Sequence, residues 1–369
     1  LLEPLLSLVT ALKDDRTVES TLGELTNPKR AAGAWQWTAL SGFLDALERR
    51  QSSLESFRNH AAPELKKTLE RLDNVLAQAR QTVADPGAAE ADRLSATRLL
   101  GRGLTGQADD LETLGSLLRP QVPTTLQKAA LANLSRSRGA RPGEILLAGW
   151  RGFGPDLRGE VLNILLSRPE WTEKTLASIE TGVMAPAQIS PAHQQKLLNH
   201  GQASIRQRAQ PLFAARADRQ KVLLEYRPVM GLAGDSGRGA PLFRQHCATC
   251  HLFRGEGTEI GPDLGAIANK STEALLAAIL DPNQAVETRY VNYTAETKSG
   301  RELSGVIVSE TPNSISLRAA NVAEETILRS DLKELTSSGL SLMPEGMETV
   351  LKPQDLADLI QYLTTPAGM

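Results

Sequence analysis

The pentapeptide Cys247-Ala248-Thr249-Cys250-His251 constrains this chain more than any other stretch of its sequence. Its two thiols are three residues apart, about one helical turn, so both can reach one edge of a porphyrin. The histidine that follows would then lie under the iron as an axial ligand. This C-x-x-C-H pattern is typical of haem c attachment, in which Cys247 and Cys250 form thioethers and His251 binds the metal.

Three other interpretations of the motif are open at this point. A C-x-x-C pair can be redox-active, although such a pair needs no histidine next to it and usually lies in a βαβ unit. A zinc site needs four ligands, and the chain has only two cysteines, with His246 and His251 as neighbouring imidazoles. The cysteines could also form a local disulfide without a function. We favour covalent haem, because the motif uses both cysteines and the adjacent histidine.

The composition narrows the class of protein. A length of 369 residues predicts two or three domains, and 41% hydrophobic with 23% charged residues is usual for a globular chain. The net charge of −2 gives no reason to expect nucleic acid or an anionic membrane as a partner. Aromatic residues make up only 4%, which favours a helical scaffold. No apolar run of about twenty residues occurs, so the sequence predicts no transmembrane helix.

Residues 1–225 predict a domain of successive helices, the first of them from Leu5, Leu8, Val9 and Leu12 at helical spacing. From about residue 87 onward the helices fall into pairs, which is typical of a HEAT-like α-solenoid, and a division near residue 120 fits the pattern. The predicted pairs are 88–102 with 106–118, 123–135 with 142–150, 155–167 with 170–182, and 190–199 with 202–214. Such a domain could bind a partner or act as a spacer.

A glycine-rich stretch predicts a linker at 226–238, followed by a second domain at 239–369. Gly239 and Phe243 share a helix face with Cys247, and a terminal helix is predicted near Leu356 to Leu363. The small residue at Gly239 would let these two helices cross closely. Between about 289 and 329 the pattern alternates, which predicts four short strands in an antiparallel β insert. The insert could be a docking surface or a shield for one haem edge.

The sequence also suggests what lies on the two sides of the iron. A haem-binding histidine usually donates its outer N–H to a backbone carbonyl, and Pro262 is our candidate because glycines surround it. Leu264 and Ile267 would line the pocket. Met343 is the candidate sixth ligand, since the proline after it favours an extended loop. Met347 is a local alternative, and an open sixth position is another.

At this point the sequence resembles a known family. Residues Gly239 to Leu363 are similar to a haem-binding domain found in Planctomycetes and Verrucomicrobia. The likeness rests on C-A-T-C-H, G-E-G…G-P-D-L-G, T-K-S-G-R-E-L-S-G-V-I-V-S-E-T, S-L-M-P-E-G-M and D-L-I-Q-Y-L. Residues 120–215, with L-R-G-E-V-L-N-I-L-L-S-R-P-E-W, look like the HEAT-like region that usually precedes this domain. The resemblance implies haem c, with Cys247, Cys250, His251 and Met343 as its ligands.

The resemblance also implies a function. In this family, such modules commonly form the C-terminal part of large exported proteins. The N-terminal part of those proteins is a β-propeller that resembles sugar or alcohol dehydrogenases. No propeller pattern occurs in this sequence. We expect an electron-transfer cytochrome that takes electrons from a fused or separate dehydrogenase and passes them to a cytochrome or the respiratory chain. Any dehydrogenase activity would belong to a portion outside this chain, and whether the chain has an activity of its own stays open. The alternatives are a haem peroxidase, with Glu345 and Glu348 as its nearest acidic groups, and a haem-based sensor or interaction protein.

Thioether attachment takes place outside the cytoplasmic membrane in bacteria. We therefore expect an exported, periplasmic protein whose signal peptide preceded Leu1. The predicted fold class is mainly α: a HEAT-like solenoid followed by a cytochrome c-like helical domain with a small β insert.

Overall fold

The computed structural model describes residues 15–27, 33–214, 217–267, 269–320 and 322–365. The chain divides into two compact units, Leu1–Gly149 and Trp150–Met369. The helix predicted from Leu5 to Leu12 lies outside the described residues.

Amphipathic helices form the described part of the first unit. Their bounds are Asp15–Leu25 (α1), Ala34–Arg49 (α2), Leu54–His60 (α3), Pro63–Ala84 (α4), Glu90–Thr97 (α5), Gln107–Ser116 (α6), Thr124–Arg136 (α7) and Arg141–Ala148 (α8). In α4, Leu65, Leu69 and Leu72 are buried at spacings of three and four residues. Lys67, on the other face, is exposed. Pro63 occupies the first turn, where no intrahelical N–H donor is required.

The second unit contains both helices and strands. Its helices are Pro155–Leu165 (α9), Pro169–Glu180 (α10), Pro191–Leu198 (α11), Ala203–Leu212 (α12), Ala217–Glu225 (α13), Ser236–His246 (α14), Thr272–Leu280 (α15) and Pro353–Thr364 (α16). Helices α5 to α12 lie where the four predicted pairs place them, so the mainly helical fold class is confirmed. Within the described ranges, no helix combines the length and the apolarity needed to cross a membrane.

Two antiparallel sheets interrupt the helices of this unit. The first is a two-stranded pair, Leu252–Phe253 (β1) with Glu256–Gly257 (β2). The second has five strands in the order β6-β5-β4-β3-β7. These strands are Val291–Thr297 (β3), Glu302–Glu310 (β4), Ser314–Ala319 (β5), Val322–Leu328 (β6) and Leu332–Ser341 (β7). Strand β3 pairs with the central strand β4 on one side and with the edge strand β7 on the other.

The fifth strand is a difference from the sequence prediction, which placed four strands within 289–329. In β7 the buried residues Leu332 and Leu335 are three apart, so the strand lacks the usual alternation. The cause is a register shift opposite Glu296 and Thr297, where one extra residue enters β7. Because of this bulge, a search of the sequence for alternating apolar and polar residues does not detect the strand. The β insert therefore continues to Ser341.

A buried arginine joins the large sheet to the helices that precede it in this unit. The Arg158 guanidinium donates to Ser337 Oγ at 2.8 Å and to the Trp150 carbonyl at 2.9 Å. It also lies 4.6 Å from the centroid of the Trp150 ring, a cation–π distance. The Tyr293 hydroxyl donates to the Phe153 carbonyl at 3.0 Å. Trp150, Phe153 and Arg158 thus join the start of this unit to the sheet.

The predicted linker at 226–238 is not where the chain divides. Tyr226 and Val229 are buried in the core that also contains Phe243, and Val222 and Leu223 of α13 pack against it. Within this stretch Gly234 permits close packing, because a Cβ there would overlap the Ala357 carbonyl oxygen of α16. Together with the Arg158 contacts, this packing explains why the division between compact units falls at 149 and 150.

Candidate functional site

Two helices cross so closely beside the C-x-x-C-H motif that only glycine fits between them. A Cβ at Gly239 of α14 would overlap the carbonyl oxygen of Asp358 in α16 and lie 2.7 Å from Tyr362 Cβ. Asp358 also accepts hydrogen bonds from Arg238 Nε at 2.6 Å and from the Asp235 N–H at 2.8 Å. The close crossing that the sequence predicts is present, with a buried carboxylate at its centre.

An aromatic cluster continues this core toward the motif. The ring centroids of Phe243, Phe253 and Tyr362 are 5.2 to 5.9 Å apart, and two of the three pairs are edge-to-face. Cys247 and Ala248 pack against the same core. The motif therefore begins on an apolar surface that is held by the two crossing helices.

The motif itself is a tight turn at the end of α14. The N–H groups of Cys250 and His251 donate to the Cys247 carbonyl at 3.0 and 2.9 Å. Both cysteines are free thiols. Burial, with a smaller contribution from Cys250, raises the pKa of Cys247 to about 12, and burial also raises that of Cys250. Both side chains are therefore neutral thiols at neutral pH, and no disulfide joins them.

The ring of His251 is fixed by the loop that follows it. Its Nδ1 lies 2.8 Å from the Pro262 carbonyl oxygen, the contact expected from the sequence. Because a carbonyl only accepts, Nδ1 carries the proton and Nε2 is the nitrogen with a free lone pair. Burial lowers the pKa of His251, and the bond to Pro262 opposes that shift. The geometry presents a neutral imidazole suited to a metal.

Glycines allow the loop to approach the motif. Gly257 has a φ of +99°, and a Cβ there would overlap the carbonyl oxygen of His251. A Cβ at Gly261 would lie 2.5 Å from His251 Cε1, so that position too excludes any larger side chain. The Gly261 N–H donates to the Cys250 carbonyl at 2.6 Å, which ties the loop back to the motif. These contacts hold Pro262 beside the histidine.

The remaining predicted residues are placed as follows. Leu264 is buried in the core that contains Phe243, at the start of the short helix Leu264–Ile267. The side chain of Ile267 lies outside what the structure describes. Met343 is half-buried in the loop after β7, and its N–H donates to Ser341 Oγ at 3.1 Å. Met347 packs against the core, so the two methionines have different surroundings.

Side chains that the sequence analysis did not select hold this methionine loop. Asn283 contacts both Ser341 and Glu345, and Arg219 Nη1 donates to Glu348 Oε1 at 2.9 Å. The Tyr226 hydroxyl donates to the Glu348 carbonyl at 2.8 Å. A sequence signal existed for Asn283, since it follows the Asp-Pro pair that ends α15. No local pattern pointed to Arg219 or Tyr226.

The alternatives to haem can be compared with this geometry. In the ranges that the structure covers, no three His, Cys, Asp or Glu side chains come together as a metal site. The zinc interpretation therefore lacks a donor set there. Glu345 and Glu348, the acidic groups considered for a peroxidase, accept hydrogen bonds from Asn283 and Arg219. The residues present fit covalent haem: two free thiols, a neutral imidazole and an apolar core beside them.

Comparison with known proteins agrees with this class of site. Residues 236–304 match the family model described as cytochrome c. Cytochrome c of Arabidopsis thaliana is 43% identical over 44 residues, which are 12% of this chain and 39% of that protein. The chain thus spans about two fifths of the length of this curated relative. Residues 236–304 are therefore similar to a cytochrome c domain, and the match implies covalently bound haem c.

Proposed function

We propose that the second unit of this chain transfers electrons through one haem c with His251 and Met343 as axial ligands. The observation that carries the proposal is the fixed, neutral imidazole of His251 beside two free thiols. When bound, haem supplies one-electron chemistry at its iron. The protein's own residues attach the group through Cys247 and Cys250, orient the imidazole through Pro262 and exclude water with the aromatic core.

Met343 is the proposed sixth ligand for two reasons. It lies in a loop that begins where β7 ends, and its half-buried side chain is not among those packed against the core. Met347, by contrast, already contributes to that packing. A methionine opposite the histidine raises the reduction potential relative to a second nitrogen ligand, which suits a carrier that accepts electrons.

Optical spectra of the haem-loaded protein test this proposal. We expect a low-spin spectrum with the red iron–methionine band in the oxidised protein, and a reduced spectrum that changes only at high concentrations of carbon monoxide. Met343→Ala should abolish the band and give a high-spin spectrum that shifts when carbon monoxide is added. Met347→Ala is the matched control and should keep the band with some loss of stability. A band that survives Met343→Ala and disappears in Met347→Ala would reverse the assignment.

The partners and location belong to the same proposal. We propose an exported protein that receives electrons from a fused or separate dehydrogenase and delivers them to a cytochrome or the respiratory chain. The preceding helices would form a HEAT-like arm that acts as a spacer or a partner surface. The resemblance to the haem-binding domain of Planctomycetes and Verrucomicrobia supports this arrangement. Electron exchange between the haem-loaded protein and a dehydrogenase from the same periplasm, followed by stopped-flow absorbance, would test it.

A further inference from the structure

One amide side chain binds both ends of the loop that carries Met343. Asn283 Oδ1 accepts a hydrogen bond from the Ser341 N–H at 2.8 Å. Asn283 Nδ2 donates to Glu345 Oε1 at 2.7 Å. Ser341 precedes Met343 by two residues and Glu345 follows it by two, so Asn283 connects the two sides of the loop.

The loop is also organised from within by Ser341. The Met343 N–H donates to Ser341 Oγ at 3.1 Å, which turns the chain immediately after β7. The same serine thus donates its N–H to Asn283 and accepts, through its hydroxyl oxygen, from the Met343 N–H. The backbone of Met343 is therefore linked to Asn283 through a single residue.

Asn283 is itself held at a defined place. It follows the end of α15, where the Asp281 N–H donates to the Ala277 carbonyl at 2.8 Å. Arg219 Nη1 donates to the Leu280 carbonyl at 3.2 Å and also to Glu348 Oε1. The arginine of α13 thus ties the end of α15 to the segment that follows Met343. This arrangement makes Asn283 part of a fixed support.

We propose that Asn283 is a positioning residue for Met343, which it holds toward the haem by bridging Ser341 and Glu345. The inference rests on the proposed ligation by Met343. Only a side chain with one acceptor and one donor at these two places can make both bonds, and an amide is such a group. A carboxylate of the same shape can accept from Ser341 but cannot donate to Glu345.

The test therefore replaces the donor group of the Asn283 amide by an acceptor oxygen. Asn283→Asp should remove the bond to Glu345, set two carboxylates against each other and loosen the loop. Because carbon monoxide competes with methionine for reduced iron, its apparent affinity should rise about fivefold to tenfold, the value of one lost hydrogen bond. The red iron–methionine band should weaken. The reduction potential should fall, because methionine stabilises the reduced iron.

Rescue distinguishes positioning from general damage. In Asn283→Asp with Glu345→Gln, the new amide can donate to the new carboxylate, so carbon monoxide affinity and potential should return toward the original values. Glu345→Gln alone should change little, since Asn283 can still donate to the amide oxygen. The Arg219–Glu345 ion pair that it removes is a long one, at 3.9 Å, and Arg219 keeps its pair with Glu348 at 2.9 Å. Asn313→Asp, at an exposed turn between β4 and β5, is the matched control for the added charge. If Asn283→Asp does not fold, Glu345→Ala tests the same contact from the other side.

The outcomes separate this inference from the ligation on which it rests. If Met343→Ala keeps the iron–methionine band, the ligation is wrong. If Met343→Ala loses the band and Asn283→Asp changes neither carbon monoxide affinity nor potential, the ligation stands and the positioning role of Asn283 is wrong. A change in Asn283→Asp that Glu345→Gln does not restore would also contradict the bridge.

Discussion

The two sides of the candidate haem site are held in different ways. On the histidine side, backbone groups close in sequence orient the imidazole: Pro262 is eleven residues from His251, and Gly261 lies against its ring. The close backbone crossing of α14 and α16 at Gly239 holds the motif that carries this histidine. On the methionine side, polar side chains from distant segments hold the loop. Arg219 and Asn283 reach it across separations of 129 and 58 to 62 residues.

The two sides therefore differ in how readily a substitution can change their geometry. A contact that leaves no room for a Cβ cannot be altered without moving backbone, so the histidine side permits few substitutions. A hydrogen bond at the methionine side contributes about 1 kcal/mol and can be changed singly. We therefore expect substitutions near Gly239 to act on global stability. Substitutions around Asn283 should weaken the binding of Met343 to the iron and lower the free energy of unfolding by a smaller amount.

The largest effect should come from Gly239→Ala. The added methyl would overlap the Asp358 carbonyl and force α14 and α16 apart, which should cost about 3 kcal/mol in the free energy of unfolding. The measurement is urea unfolding of the haem-loaded protein, followed by circular dichroism. Gly159→Ala in α9 is the control, because a Cβ there meets nothing within 4 Å. It should stabilise the helix by about 0.5 to 1 kcal/mol.

A Gly239→Ala protein as stable as the original would show that the helix crossing is not the fixed part of the site. The proposed contrast between a rigid histidine side and an adjustable methionine side would then be wrong.

A smaller effect on the same crossing should come from Asp358→Asn. The carboxylate accepts from Arg238, the Asp235 N–H and Gln354, and its pKa is held below the ordinary value chiefly by the Arg238 bond. Asparagine cannot accept all of these bonds, so we expect a loss of about 2 kcal/mol at pH 7. Arg238 is largely exposed, and water limits its share of that loss.

The pH dependence follows from the direction of the shift. The folded protein protonates Asp358 less readily than the unfolded chain, so the stabilisation is complete above the unfolded pKa of about 4. It is lost as the pH falls through the lower folded value. The difference in the free energy of unfolding between the original protein and Asp358→Asn should therefore shrink as the pH is lowered from 7 to below about 4. Glu302→Gln, at an exposed position of β4, controls for the lost charge. A difference that stays constant over this range would contradict the assignment.

The sequence could predict the histidine side because its determinants are local. C-A-T-C-H, the glycines before Pro262 and the helical spacing from Gly239 to Cys247 lie within a stretch of about 25 residues. Helix positions followed for the same reason, since amphipathic periodicity and the prolines at first turns are visible along the chain. The cap of α15 is local in the same way, because the Ser271 hydroxyl accepts from the Ala274 N–H three residues later.

The methionine side could not be predicted in this way. Strand β7 was missed because its bulge breaks the alternation of buried residues, and β7 sets where the Met343 loop begins. The buried Arg158 gave no local signal either, although it fixes the sheet against preceding helices. The linker at 226–238 was predicted from glycines, whereas Gly234 serves close packing on α16. Contacts between distant segments decide all three features.

The smallest effect should come from Tyr226→Phe, which tests the methionine side beyond the ligand. The hydroxyl donates to the carbonyl of Glu348 at 2.8 Å, and the Leu351 carbonyl lies 3.2 Å away. Its loss should cost about 1 kcal/mol in urea unfolding. The iron–methionine band should stay unchanged, because this bond holds the chain after Met347 and Asn283 still bridges the Met343 loop. If the band weakened as much as in Asn283→Asp, the whole segment from 341 to 351 would act as one support, and Asn283 would have no separate role.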